Sequence, residues 1–99
     1  MIKIERTPLF LMANLGSDMS QLFLNLEKND EKFANMSAVR AEKIVNELLA
    51  MPEMKSRVVE IEVIKDVIKD ALSEKPLLNI NKNQIEEYFM PFALRLMSV

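Results

Sequence analysis

The chain has 99 residues and a formal net charge of −2, with no Cys, no His, no Trp and a single Gly. A chain of this length is expected to bury one hydrophobic core, so the sequence predicts a single domain over residues 1–99. Without Cys and His it has no Cys-His or Ser-His-Asp triad, no zinc site built from those residues and no disulfide. Its 13 basic residues are spread among 15 acidic ones without a stripe, so we expect no nucleic-acid partner.

The sequence also predicts a cytoplasmic protein that does not associate with a membrane. Glu5 interrupts the basic start that a secretory signal needs, and the apolar run over residues 9–13 is only five residues long. The longer stretch over residues 8–26 is interrupted by polar side chains from Asn14 to Asn25 too often for a membrane span. We therefore expect this stretch to form a buried helix.

The first helix is predicted over residues 8–27. Thr7 followed by Pro8 is a start signal, because a capping hydroxyl precedes the residue best tolerated at the first helical position. Apolar residues then recur at helical spacing up to Leu26. Gly16 lies on one flank of this stripe, with small residues beyond it: Ala13, Ser17 and Ser20. A glycine inside a helix costs about 1 kcal/mol relative to alanine, so this strip predicts that another helix crosses closely there.

A second helix is predicted over residues 31–51, after Asn29 and Asp30, which are residues typical of a turn. Two polar residues, Ser37 and Arg40, project into its apolar face and are candidate buried polar residues. A buried guanidinium keeps its charge and must be paired, so we expect an acid from another helix beside Arg40. Extension of its head group to water and an anion-binding or partner-binding role are the alternatives. Arg57 poses the same question on the next helix.

The third segment, residues 53–75, has features of both a helix and a strand. Val59, Ile61 and Val63 alternate with acids as in a half-buried strand. Helical spacing nevertheless continues through more than twenty residues, which is too long for an ordinary strand, so we predict a helix that begins after Pro52. Whether residues 57–64 are helix or strand stays open. Val59, Val63 and Val67 form a second apolar row on the far side, which predicts contact with this helix on two sides.

The fourth helix is predicted over residues 82–98. Asn81 with Gln84 three residues later resembles a capping box, and Pro91 predicts a kink or a break. Four amphipathic segments joined by short connections are typical of an all-α fold, and we predict an antiparallel four-helix bundle.

One row of carboxylates is a candidate metal site. Glu62, Asp66 and Asp70 repeat every four residues, and Mg²⁺ prefers carboxylate oxygens. Lys65 and Lys69 interleave with them, so a solvated charged face is the simpler interpretation and we predict no metal. Nucleotide pyrophosphohydrolases of the MazG-like kind hold Mg²⁺ through Glu-x-x-Glu and Glu-x-x-Asp pairs on facing helices. The chain lacks that set, since its one Glu-x-x-Asp lies over residues 27–30 at the predicted end of the first helix.

Apolar residues crowd the two ends of the chain. Eight Met residues are many for this length, and residues 9–13 and 88–97 are apolar nearly all the way round. A helix that is apolar on every side must be covered on every side, so we expect a second chain to dock there. The candidate interface residues come from the first and last helices: Leu9, Phe10, Ala13, Gly16, Ser17, Tyr88, Phe89, Phe92 and Leu96.

We therefore predict a protein that acts by protein–protein contact, as a homodimer or as a subunit of a larger assembly, without a cofactor or catalysis of its own. Two other functions stay open. One is a small regulatory protein of the antitoxin or transcriptional accessory type, and the other is a carboxylate-metal-dependent hydrolase. A pocket for a hydrophobic ligand among the Met and Phe side chains is a further alternative.

Overall fold

A computed structural model describes residues 6–98 of the chain. Over this range the protein is a bundle of four α-helices without a strand, which confirms the predicted all-α class. A 3₁₀ helix, Pro52–Arg57, lies between the second and third of them. The α-helices are α1 Pro8–Glu27, α2 Glu31–Ala50, α3 Val58–Leu72 and α4 Lys82–Met97.

Three of the four α-helices begin at a side-chain cap. The Thr7 hydroxyl accepts a hydrogen bond from the Phe10 amide at 3.1 Å, and the Asp30 carboxylate accepts one from the Phe33 amide at 3.2 Å. At α4, Asn81 and Gln84 bond each other's backbone amides at 2.9 Å, which confirms the predicted capping box. Such a cap stabilises a helix by about 1 kcal/mol and fixes where it starts.

The predicted third helix is too long at both ends. Pro52 opens the 3₁₀ helix, and regular α-helical hydrogen bonding begins only at Val58. The helix ends at Leu72, because Ser73 turns into extended backbone and its hydroxyl donates to the Asp70 carbonyl at 2.7 Å. Residues 58–64 are helical, since spacing of three and four residues buries Ile61, Ile64 and Ile68 together.

The other helix boundaries lie within one residue of prediction, and Pro91 does not break α4. A proline inside a helix leaves the carbonyl four residues earlier without its backbone partner. Here both Pro91 and Glu87 are exposed, so water can satisfy that carbonyl. A continuous helix is therefore compatible with the proline at this position.

The four α-helices are arranged around the core in the order α4, α1, α2, α3. The backbone of α1 packs closely on α2 and on α4, and α2 packs on α3. The largest fully buried side chains come from α1, α2 and α3, for example Leu15, Leu48 and Ile68. Because α1 is covered from two sides, most of its broad apolar stripe is buried within the chain itself. None of the helices described is long and apolar enough to cross a membrane.

The predicted close crossing at Gly16 is confirmed. Phe89 of α4 packs directly over this glycine, and the Ser20 hydroxyl donates to the Glu86 carboxylate at 3.2 Å one turn along the same contact. The small-residue strip of α1 is therefore the surface on which α4 packs.

Candidate binding groove between the third and fourth helices

The seam between α3 and α4 is open. Along the described chain the backbones of these two helices stay apart, whereas the three other neighbouring pairs approach closely. The connection between them, residues 73–81, is nine residues long, compared with three residues between α1 and α2. A longer connection permits a wider separation, so one side of the bundle is a groove where the other sides are closed.

The groove is lined mainly by apolar side chains. It has a volume of about 370 Å³, with Met19 of α1 at its floor. Val63 and Tyr88 lie at the mouth and are partly exposed to solvent. The apolar walls are formed by Val63, Ile64 and Val67 of α3 and by Ile85, Tyr88 and Phe89 of α4.

A second cavity of about 460 Å³ continues the groove toward the far end of α3. Val67 and Ile80 line both cavities, so the two are adjacent along α3. Phe23 of α1 lies at this end, beside the connecting segment 73–81. The Asp70 carboxylate fixes that segment by accepting hydrogen bonds from the amides of Leu77 at 2.8 Å and Leu78 at 3.1 Å.

A polar bridge closes the other end of the groove. Arg57 donates two hydrogen bonds to the Glu60 carboxylate, at 2.7 and 3.2 Å, and the Tyr88 hydroxyl donates to the same carboxylate across the seam. The Arg57 guanidinium carbon also lies 5.3 Å from the centre of the Phe92 ring. The bridge therefore connects α4 to α3 at the point where the 3₁₀ helix ends.

The bridge shifts the acidity of its members. Hydrogen bonds from Arg57 hold the pKa of the Glu60 carboxyl below its ordinary value, and the same contact raises the pKa of Arg57. Burial raises the pKa of the Tyr88 hydroxyl, and its hydrogen bond to Glu60 raises it further. At neutral pH Glu60 is thus ionised and fully engaged, which leaves the wall of the groove without a free reactive group at this end.

The outward face of α4 carries a second apolar surface. Met90, Leu94 and Met97 recur at spacing of four and three residues, and all three are exposed. Phe89 and Phe92 on the inner face of the same helix are buried. We call Met90, Leu94 and Met97 the outer stripe of α4.

The predicted interface residues divide into three groups. Leu9, Phe10 and Ala13 are half-buried, and Ser17, Tyr88 and Leu96 are exposed. The remaining three, Gly16, Phe89 and Phe92, lie in the chain's own core, because α4 crosses α1 at the glycine. These three are therefore covered by the chain itself, and of them only Phe89 also lines the groove. The candidate surface moves from the α1/α4 contact to the groove and the outer stripe.

The predicted buried polar residues also have different environments. Ser37 is 1% exposed, and its hydroxyl accepts a hydrogen bond from Arg40 at 3.1 Å. Arg40 itself is exposed, not buried, since its long side chain extends along α1 and pairs with Asp18 at 3.1 Å. Arg57 is half-buried and paired with Glu60. The expected acid from another helix is thus present for Arg40. The acid paired with Arg57 is instead Glu60, which lies three residues farther along the sequence.

The three members of the carboxylate row have different surroundings. Within residues 6–98, no three potential ligands of the His, Cys, Asp and Glu types come together closely enough to hold an ion. Asp70 instead binds two amides of the connecting segment, and Glu62 and Asp66 are exposed.

The sequence contained a signal for only one side of the groove. The valine row, Val59, Val63 and Val67, indicated a second contact face on α3, and two of its members line the groove or its continuation. The outer stripe of α4 was missed, although its spacing of four and three residues is visible in the sequence. Glu60 and Tyr88 were not predicted to meet, because 28 residues separate them along the chain.

Comparison with protein-family models, with curated proteins and with solved structures finds no match to this chain.

Proposed function

We propose that this protein is a helical interaction module that binds an amphipathic helix of another protein in the groove between α3 and α4. The observation that carries the proposal is the open seam itself. On three sides of the bundle the helix backbones pack closely. On the fourth side α3 and α4 are farther apart and enclose an apolar cavity, with Val63 and Tyr88 exposed at its mouth and the deeper wall residues buried. An amphipathic helix laid along such a groove is a recurring mode of peptide recognition.

The dimensions of the groove fit a short helix. The α3 residues that line the groove and the adjacent cavity extend from Glu60 to Ala71, which corresponds to about 17 Å, or three turns, at 1.5 Å per residue. An incoming helix of three turns would present apolar side chains at spacing of three, four and seven residues. It would pack along α3 and α4 at the mouth of the groove, where Val63 and Tyr88 are exposed, and so supply the close helix–helix contact that the fourth seam lacks.

The chemistry of the lining favours binding over catalysis. The polar side chains of the main cavity are Glu60 and Gln84, and Glu60 is engaged by both Arg57 and Tyr88. Pockets for small ligands bury most of the ligand surface, whereas Val63 at the mouth of this groove is 54% exposed. An open apolar groove suits a side-chain row of a polypeptide better than a small enclosed ligand.

A synthetic peptide tests the proposal directly. The probe is an amphipathic helix of about 14 residues, nearly four turns. It carries Leu on one face, Gln on the other and a single Trp among the apolar positions. Because the protein has no Trp, fluorescence of the peptide reports its burial without interference. We expect a saturable blue shift of the emission on titration with the protein. A spectrum that stays unchanged would overturn the proposal.

Two matched variants locate the binding site. Val63 at the groove and Val39 on α2 are both helical valines with 54% exposure. Replacing either by Gln should leave the fold intact, since exposed positions tolerate polar residues. We expect Val63→Gln to weaken peptide binding at least about fivefold through lost apolar contact and Val39→Gln to leave it unchanged. Equal effects of the two variants would place binding elsewhere.

The outer stripe of α4 favours a second candidate function, self-association. Met90, Leu94 and Met97 form a row that would be buried if α4 packed against α4 of a second copy. Sedimentation equilibrium at increasing protein concentration measures this. We expect Leu94→Gln to remove the association and Leu77→Gln, a leucine 84% exposed in the connecting segment, to preserve it. A wild-type particle of 11.4 kDa at all concentrations would exclude the homodimer.

A further inference from the structure

We infer that the helix bound in the groove carries Lys or Arg residues along the borders of its apolar face. This inference rests on the proposed function and adds the charge of the partner to it. Acidic side chains border the groove on α3 and on α4.

The rim on α3 carries an acid beside the valine that lines the mouth of the groove. Asp66 follows Val63 by three residues, and residues at this spacing are neighbours on a helix surface. Asp66 is exposed, and it takes part in no ion pair within residues 6–98. Lys69 follows Asp66 by another three residues, so it lies farther from the groove.

The rim on α4 has the same sign. Glu87 lies one turn beyond Gln84, which lines the groove, and Glu87 is exposed and forms no ion pair in the described part of the chain. Two cations beside the groove, Arg57 and Lys82, are already engaged, because Arg57 pairs with Glu60 and Lys82 pairs with Glu86. Negative charge therefore remains free on both long sides of the groove.

This charge distribution discriminates between occupants. A second copy docked groove to groove would bring two acidic rims together, and an acidic partner helix would meet like charge on both sides. A helix with basic residues at the borders of its apolar face would place each cation beside a rim carboxylate. Each such exposed pair strengthens binding by about two- to fivefold at low salt, and the gain decreases as salt screens it.

Three peptides test the inference. They share the Leu face and the single Trp of the neutral probe and differ only at the positions that border the apolar face, which carry Lys, Gln or Glu. We expect affinity to decrease in the order Lys, Gln, Glu at low salt and the differences to shrink at high salt. Equal affinity of the three peptides, or tightest binding of the Glu peptide, would overturn the inference and leave the proposed function standing. Failure of all three to bind would overturn both.

A pair of double variants tests whether the rim is responsible. Asp66→Asn with Glu87→Gln removes one charge on each side of the groove, and Glu42→Gln with Glu53→Gln removes two charges elsewhere. The first should abolish most of the preference for the Lys peptide without weakening the Gln peptide. The second should leave the preference intact. If both double variants reduce the preference equally, net charge and not the rim determines it, and the inference is wrong.

Discussion

Phe89 occupies the space that a side chain at Gly16 would need. A Cβ atom added to this glycine would lie 2.6 Å from the Phe89 Cβ and 2.8 Å from its Cγ. The Cβ of Phe89 is bonded to the α4 backbone, so it cannot rotate away as the end of a flexible side chain could. The glycine therefore determines how closely α4 approaches α1.

Gly16→Ala should destabilise the protein. Alanine is the better helix former by about 1 kcal/mol, but forcing α4 outward costs about 1–3 kcal/mol, so we expect a net loss near 1 kcal/mol. In a domain of this size, each kcal/mol lowers Tm by about 4–8 °C. Thermal unfolding followed by circular dichroism measures the change. The adjacent exposed Ser17 serves as control, because Ser17→Ala gains helix propensity without a clash. A higher Tm for Gly16→Ala would contradict the packing argument.

Local signals in the sequence were sufficient to predict the helices. Thr7, Asp30 and Asn81 cap helices through hydrogen bonds that span three residues, so the information needed lies within one turn. The start of α3 was placed too early, because Pro52 is equally compatible with the first turn of an α-helix and with a 3₁₀ turn. The α-helix is favoured over the 3₁₀ turn only farther along the sequence, where helical spacing buries Ile61 and Ile68.

The groove was only partly predictable because it depends on tertiary distances. Amphipathic spacing indicated a second apolar face on α3, but not which element would face it. The separation of α3 and α4 depends on how the segment 73–81 is held, and Asp70 holds it through two amides seven and eight residues away. Likewise the pattern placed Phe89 correctly on an apolar face, but did not show whether α1 or a second chain would cover it.

Asp70 should contribute more to stability than its neighbour in the carboxylate row. Asp70→Ala removes the acceptor for the amides of Leu77 and Leu78, and we expect it to cost about 1–2 kcal/mol. Asp66→Ala removes an exposed carboxylate without such bonds and should change stability by less than about 0.5 kcal/mol. Urea denaturation of both variants measures the difference. Equal losses would contradict the role assigned to Asp70.

The same two variants test the metal-dependent alternative. A metal site on the row predicts that Mg²⁺ or Mn²⁺ raises the Tm of the wild type and that both Asp66→Ala and Asp70→Ala reduce this increase. We expect no increase in Tm with either ion, since the described carboxylates do not form a cluster. A saturable increase that Asp66→Ala abolishes would restore the hydrolase hypothesis.

The free energy of unfolding should decrease in acid and stay nearly constant around neutral pH. Arg6, Arg57 and Lys82 hold the pKa values of Glu47, Glu60 and Glu86 below the ordinary 4.5. A carboxyl whose pKa is lower in the folded than in the unfolded protein stabilises the folded state at pH values above its unfolded-state pKa. This contribution is lost as the pH falls through the folded-state pKa. The chain has no His, so no side chain of ordinary pKa titrates between about pH 6 and 8.

Urea denaturation across this pH range checks the prediction. We expect the loss below about pH 4.5 to shrink at high salt, because these ion pairs are largely exposed. A steep change in stability between pH 6 and 8, or a loss of stability in acid that salt does not affect, would contradict the attribution of this loss to the three ion-paired carboxyls.

Tyr88 should titrate above the ordinary tyrosine pKa of 10.0, because burial and its bond to the ionised Glu60 both disfavour the phenolate. It is the chain's only Tyr, so the ultraviolet absorbance of tyrosinate follows this one group. We expect Glu60→Gln to lower the midpoint without restoring the ordinary value, since burial remains. Circular dichroism at each pH confirms that the protein is folded. An ordinary midpoint in the wild type, or no change in Glu60→Gln, would show that the bridge across the seam does not form.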